Sequence, residues 1–319
     1  MTTHYLRADD LSADQLAAVL DRAERHKEHR GDPVGTLSGK AVAIVFEKPS
    51  LRTRVSFELA IVELGGHSMK IDDVEIGLGK REVVSDVARV MSRYVEAIVL
   101  RTFAQARLEE LAAAATVPVV NALSDHEHPC QALADLLTIR ENHGKLAGRT
   151  LAWIGDGNNV AHSLLLAGAL SGMHVRVAHP EGHAPDAAVV DRAVGHAVVT
   201  GGSVSVGTDP MAAATGADVI STDVWTSMGQ EEQATSRQDA FADFRVTAEL
   251  LAAADDDVIF LHCLPAHRGD EVTADVIDGP RSRVFDQAEN RLHAQKAILE
   301  HLLAPAALPD PTATGGDDR

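Results

Sequence analysis

Aromatic residues are scarce: Phe, Trp and Tyr make up 3% of the 319 residues, so Ala, Val and Leu must fill the cores within an apolar share of 45%. Two cysteines, Cys130 and Cys263, are too few for a disulfide framework, and a reducing cytoplasm is the default compartment. No apolar run approaches the ~18 residues of a membrane span, and residues 1–10 hold no apolar signal-peptide core. Positive charge is also in deficit. With 29 Lys and Arg against 47 Asp and Glu, the formal charge of −18 argues against a nucleic-acid partner. An anionic ligand would have to find a local basic pocket within an acidic surface.

What is present is a long alternation of apolar runs and amphipathic stretches, enough for two domains of ordinary size. A helix is predicted over 11–27, then strands at 41–46, 67–72, 97–101 and 118–123, with helices at 51–64, 82–94, 104–115 and 129–142 between and after them. The pattern pauses near His143-Gly144. It restarts with strands at 150–154, 174–178, 203–206, 218–221, 257–261 and 283–285, separated by helices at 158–171, 186–197, 210–215, 246–253 and 271–278. Residues 226–243 read as a polar loop, either a lid or an acidic surface loop. A last helix spans 290–303, and the Pro/Thr/Gly/Asp-rich 305–319 read as a disordered tail. Two runs of βα units predict an α/β protein: two doubly wound parallel-sheet domains of similar size, with helices on both faces.

In such folds ligands bind beyond the carboxyl ends of the strands. After strand 41–46, Lys48-Pro49 break the run and Ser50 can cap a helix whose first turn carries Arg52, Thr53 and Arg54. Free amides, a positive dipole end, two hydroxyls and two guanidiniums meet there, an arrangement suited to a phosphate. Arg101 ends an apolar strand, where a buried cation needs a partner, whether a ligand or a neighbouring acid. His128 precedes a Pro-started helix, as a cap or as a donor to a substrate oxygen. Polar groups recur at the same edge in Gln131, Asn158-Asn159, Asp223 and His262-Cys263-Leu264-Pro265, with Arg291 opening the last helix. His126, His128 and Cys130 invite zinc, but there is no matching second cluster, and no metal is expected. Gly155-Asp156-Gly157-Asn158-Asn159-Val160 begins as a dinucleotide fingerprint and puts Val160 where the third Gly belongs. No cofactor is expected.

Ser50-Leu51-Arg52-Thr53-Arg54 resembles the S-x-R-T-R segment of the aspartate and ornithine carbamoyltransferase family, and His128-Pro129-Cys130-Gln131 its H-P-x-Q segment. Asp223-Val224-Trp225-Thr226-Ser227-Met228-Gly229 and His262-Cys263-Leu264-Pro265 are similar to segments that the ornithine enzymes add and the aspartate enzymes lack. The resemblance covers residues 41 to about 300. It implies transfer of the carbamoyl group of carbamoyl phosphate to the δ-amine of L-ornithine, in arginine biosynthesis or the reverse in catabolism, by a cytoplasmic homotrimer or multiple of trimers.

Carried over residue by residue, the resemblance puts carbamoyl phosphate against Ser50, Leu51, Arg52, Thr53, Arg101, His128, Gln131, Cys263, Leu264 and Arg291. L-ornithine would meet Asn159, Asp223, Ser227 and Met228, with Arg101, His128, Asp223 and Cys263 in the chemistry. The implied organisation is a carbamoyl-phosphate domain over 1–143, an ornithine domain over 144–289 and a C-terminal helix at 290–304 packing back on the first domain. One departure concerns Gly77-Leu78-Gly79-Lys80-Arg81-Glu82. Many relatives carry a Gln at the Gly77 position, on the loop that reaches a neighbour's site, which leaves Lys80 or Arg81 to replace that contact.

Overall fold

The computed structural model describes residues 3–226 and 234–304; the expected tail over 305–319 lies outside the described residues. The first half of the chain runs α1 (Ala13–Glu28), β1 (Ala41–Phe46), α2 (Leu51–Glu63), β2 (His67–Asp72), α3 (Asp73–Ile76), α4 (Val84–Met91), β3 (Ala97–Arg101), α5 (Gln105–Ala114), β4 (Val119–Leu123) and α6 (Pro129–His143). Its sheet has the order β2-β1-β3-β4, and every pairing is parallel. The second half runs β5 (Thr150–Ile154), α7 (Asn159–Leu170), β6 (His174–Ala178), α8 (Ala187–Thr200), β7 (Ser203–Gly207), α9 (Pro210–Ala214) and β8 (Val219–Thr222). It continues with α10 (Ala234–Phe241), α11 (Ala248–Ala252), β9 (Ile259–His262), α12 (Ala274–Ile277) and α13 (Val284–Leu303). The second sheet is also all parallel, in the order β7-β6-β5-β8-β9.

Parallel strands covered on both faces need near-continuous apolar runs, and β1, β3 and β5 supply them, while β8 is buried throughout with Ser221 and Thr222 in its second half. Alternate residues then serve different layers. Val42, Ile44 and Phe46 face a core shared with α1, α2, α6 and α13, while Ala43 and Val45 face one built from α4 and α5. Leu151 and Trp153 join the same large core as β1, whereas Ala152 and Ile154 pack with α9, α11 and α12. One apolar cluster therefore runs through both sheets.

Sheet order matters for the site. In each sheet the chain winds outward in opposite directions from a central pair, β1 and β3 in one and β5 and β8 in the other. Their carboxyl ends flank the crevices where doubly wound sheets bind ligands.

The structure departs from the sequence pattern in several places. The strand expected at 283–285 is absent: one bridge, Phe260 to Ser282, extends the sheet edge, and α13 begins at Val284, six residues ahead of the expected start. Val284 is buried in the second core and Phe285 is exposed, which is the one-sided burial of a helix rather than a continued buried strand. The polar stretch 226–243 ends in α10, a helix the sequence did not suggest, because Arg237 and Phe241 turn inward under Trp225. The helix expected over 82–94 shrinks to α4, and that over 271–278 to α12.

α13 docks on α1, α2 and α6, and Glu300 pins it there. Its carboxylate meets His26 and Arg22 of α1 and the Thr36 hydroxyl. Burial alone would raise its pKa, but these partners bring it from 4.5 down to about 2. A depressed acid contributes stability that is complete above its unfolded value and fades as the pH falls through its folded one. Thermal melts from pH 5 to pH 2 should therefore fall more steeply for the natural chain than for Glu300→Gln. Parallel slopes would remove Glu300 from the contacts that hold α13.

Candidate active site

The turn after β1 carries out the local reading of its residues. Ser50 sits at the N-cap of α2 with extended backbone, and its Oγ accepts from the Thr53 N–H at 3.3 Å. The first turn has no acid. Thr53 Oγ1 accepts from Ser50 Oγ at 3.0 Å and from Arg291 Nη2 at 2.8 Å, which leaves its own hydrogen free to donate. Leu51 is 69% exposed, so only its amide is available at this corner.

Arg101 ends β3 beside Phe46 in register and is buried. Burial first, then the Arg291 charge, lowers its pKa to about 10, with Arg52 adding to the effect. Arg291, buried two turns into α13, is lowered by the same desolvation, and Arg52 faces it too. Among the described residues, none of these three guanidiniums has a carboxylate partner within ion-pair distance, and the Nε atoms of Arg101 and Arg291 are unpaired. Nearby acids are engaged elsewhere: Glu47 with Thr102 and Arg107, and Asp125 with Lys48. Desolvated cations without counter-charge are costly unless an anion completes them.

His128 caps α6 and is fully enclosed, its backbone N–H donating to Ser163 Oγ at 2.9 Å. Burial, Arg291 and Arg101 all drive its pKa well below the usual histidine range. The ring is neutral, and Nδ1 has no partner. One turn along α6, Gln131 donates through Nε2 to Asp135 at 2.7 Å and leaves Oε1 unpaired.

The second sheet brings the opposite charge. Asp223 follows β8; its Oδ2 accepts from Asn158 Nδ2 at 3.0 Å, and its Oδ1 accepts from the Cys263 thiol at 3.1 Å. Burial, reinforced by Asp223, raises Cys263 well above the usual thiol range, so it is a protonated donor rather than a thiolate. Leu264 has φ +59°, a left-handed conformation strained for a branched residue. The turn is over-determined to hold it. The Leu264 N–H donates to His262 Nδ1 at 2.9 Å, so Nε2 carries the proton that faces Glu271 at 3.2 Å. Asp223, His262 and Cys263 have metal-ligand atoms within 4.8 Å of one another. Those hydrogen bonds already occupy both nitrogens of His262.

Asn158, rather than Asn159, reaches Asp223; it also caps α7 by accepting from the amides of Val160 and Ala161. Asn159 Nδ2 donates instead to Ser124 O of the first domain at 2.7 Å. Ser227 and Met228 lie outside the described residues. Gly157 explains the incomplete fingerprint. A Cβ there would stand 2.1 Å from Pro185 N, so the residue is glycine to admit the chain's own Ala184–Pro185 backbone and not a nucleotide. Asn158 was named at this edge but not paired with Asp223, whereas Asp135 and Gln287 fall outside every motif. An acid four residues after Gln131 was the available signal.

Set beside known proteins, residues 3–141 match the family description "Aspartate/ornithine carbamoyltransferase, carbamoyl-P binding domain", and residues 147–302 match its "Asp/Orn binding domain". An ornithine carbamoyltransferase of Acidothermus cellulolyticus is 60% identical, over 96% of this chain and 98% of the relative. The solved ornithine carbamoyltransferase of Pyrococcus furiosus superposes with a TM-score of 0.91 at 49% identity, covering 94% of this chain and 96% of that one. That of Gloeobacter violaceus gives 0.86 at 51%, over 95% and 99%. The chain belongs to the aspartate/ornithine carbamoyltransferase family.

Proposed function

We propose that this protein transfers the carbamoyl group of carbamoyl phosphate to the δ-amine of L-ornithine, giving L-citrulline and phosphate. The observation that carries the proposal is the division of charge across one cleft. Arg52, Arg101 and Arg291 gather without acids on one wall, and Asp223 stands with Cys263 on the other. A dianion and an ammonium-bearing amino acid fit those walls in one orientation only.

Carbamoyl phosphate docks with its phosphate on the α2 N-terminus, between Ser50, the Leu51 amide, Arg52 and Thr53, with Arg101 bridging phosphate and carbonyl. Arg101, the Thr53 hydroxyl and neutral His128 donate to the carbonyl oxygen. The unpaired Gln131 Oε1 accepts from the carbamoyl NH2. Ornithine places its α-ammonium against Asp223, and its δ-amine passes Cys263; Ser227 and Met228 are assigned to the same ligand by the family resemblance alone. The amine lone pair forms the N–C bond, the negative charge collects on the carbonyl oxygen, and the C–O bond to phosphate then breaks. The phosphate leaves with that electron pair and takes up the proton the amine sheds. A protonated Cys263 leaves the amine as the only nucleophile. The step serves arginine biosynthesis or, reversed, catabolism, in the cytoplasm.

Purified protein should make citrulline from carbamoyl phosphate with ornithine and not with putrescine, lysine, N-acetylornithine or aspartate. Arg52→Ala should abolish turnover, and His128→Ala should lower kcat about 10²–10³-fold, the worth of one oxyanion donor. Turnover with another amine would overturn the assignment of Asp223 to the ornithine α-ammonium.

The attacking amine, of pKa ~10.4 in water, is neutral in only about one molecule in a thousand at pH 7. Neither His128, held neutral, nor Cys263, held protonated, titrates in the neutral range to oppose it. The rate should rise from pH 6 to 9. A flat profile would exclude amine deprotonation as the control.

The active form is a homotrimer. Leu51, Val55, Leu59 and Val62 make a continuous exposed apolar stripe on α2 at helical spacing, and edge strand β2 beside it is largely uncovered. Lys80, on the loop whose Arg81 is tied back to Glu75 O, replaces the Gln of relatives toward a neighbour's phosphate. Light scattering should give three times the chain mass, and Val62→Glu should give monomers with little activity. A monomeric and fully active natural chain would end this reading.

A further inference from the structure

Asp135 is a buried carboxylate that the mechanism above does not use. It lies on α6 one turn beyond Gln131 and faces α13, where Gln287 and Arg291 lie one turn apart. Its Oδ1 accepts two amides at once, Gln131 Nε2 at 2.7 Å and Gln287 Nε2 at 2.6 Å. Gln287 then turns its own oxygen to the backbone N–H of His262 at 2.9 Å, just ahead of the strained Leu264 turn. Gln131 turns its oxygen to no partner.

A side-chain amide has a donating end and an accepting end, and nothing in packing alone distinguishes them. An ionised carboxylate accepts only. Two amides that meet at one carboxylate must therefore both point NH2 toward it and C=O away. Burial raises Asp135 and the two amide hydrogen bonds lower it, leaving it near 6, so at neutral pH and above it is mainly an acceptor.

We propose that Asp135 is a positioning residue that sets the polarity of two amides. Through Gln131 it presents an acceptor that selects the carbamoyl NH2, and through Gln287 it anchors the His262–Leu264 turn of the second domain. The inference rests on the proposed carbamoyl-phosphate site and adds the source of its specificity. Without Asp135, Gln131 can flip and offer NH2 to the ligand, and a methyl group would then be accepted nearly as well as an amino group.

Acetyl phosphate, identical to carbamoyl phosphate except for CH3 in place of NH2, reads that polarity. The quantity is the ratio of its inhibition constant to the carbamoyl-phosphate KM. Asp135→Ala should lower this ratio roughly tenfold or more, the usual consequence of losing a dedicated partner for a ligand N–H. Asp135→Asn, whose oxygen can still accept both amides, should hold it within about threefold. In a Gln131→Ala background, Asp135→Ala should change the ratio no further. Gln287→Leu should raise the ornithine KM while leaving the ratio intact.

Equal weakening of both phosphates by Asp135→Ala, or an undiminished ratio, would overturn the proposal. Should Asp135→Ala fail to fold, Asp135→Ser, too short to reach both amides, makes the same prediction and is refuted by the same outcomes. Absence of citrulline formation by the natural chain would instead strike the reaction itself.

Discussion

Like charges brought together without counter-charge govern this molecule. Arg52, Arg101 and Arg291 come from a helix start, a strand end and the last helix; Arg101 and Arg291 are buried, and Arg52 stands half-buried beside them. Holding the two buried ones costs on the order of several kcal/mol per ion before any ligand arrives. The remainder of the fold supplies that energy through ordinary packing. α13 carries Arg291 and is locked to α1, α2 and α6 by a long apolar seam, by Lys296 to Glu63 and by Glu300. Acids that could quench the cluster are diverted, Glu47 to Arg107 and Asp125 to Lys48.

The same positive field shapes its neighbours. Together with burial, the larger cause, it keeps His128 neutral, so that the ring donates or accepts a hydrogen bond without adding a fourth positive charge. Across the cleft the arrangement is reversed: burial first and Asp223 second keep the Cys263 thiol protonated, and Asp223 takes Asn158 as its donor. Two βα crossovers with the same architecture thus present opposite charge at their switch points. Two unlike ligands can then be held face to face without a covalent intermediate.

Much of this was legible in the chain. The buried runs of β1, β3, β5 and β8 announced parallel sheets, and Ser50, Arg52 and Thr53 announced a capped, acid-free helix start, because capping chemistry is local. What escaped notice depends on distant partners. Asn158 and Asn159 are indistinguishable by type, yet one meets Asp223 and the other meets Ser124 O, since successive residues at a helix start point in different directions. α10 was invisible because its inward face is made by a single arginine and a phenylalanine set in polar sequence. Val284-Phe285 looked like a strand, since an apolar pair has no periodicity of its own.

The sequence by itself determined the architecture, the capped cationic helix start after β1 and the family, because hydrophobic period, capping residues and short motifs act over a few neighbouring positions. Only the tertiary structure decided which groups face one another. The strand orders β2-β1-β3-β4 and β7-β6-β5-β8-β9 put the end of β1, and the turn that follows it, next to Arg101 and Asn158 beside Asp223. The return of α13 sets Arg291 on Thr53, 238 residues away in the chain. Desolvation and charge proximity, which give Arg101, His128, Asp135 and Cys263 their altered acidity, arise from that convergence, and no local stretch of sequence contains it.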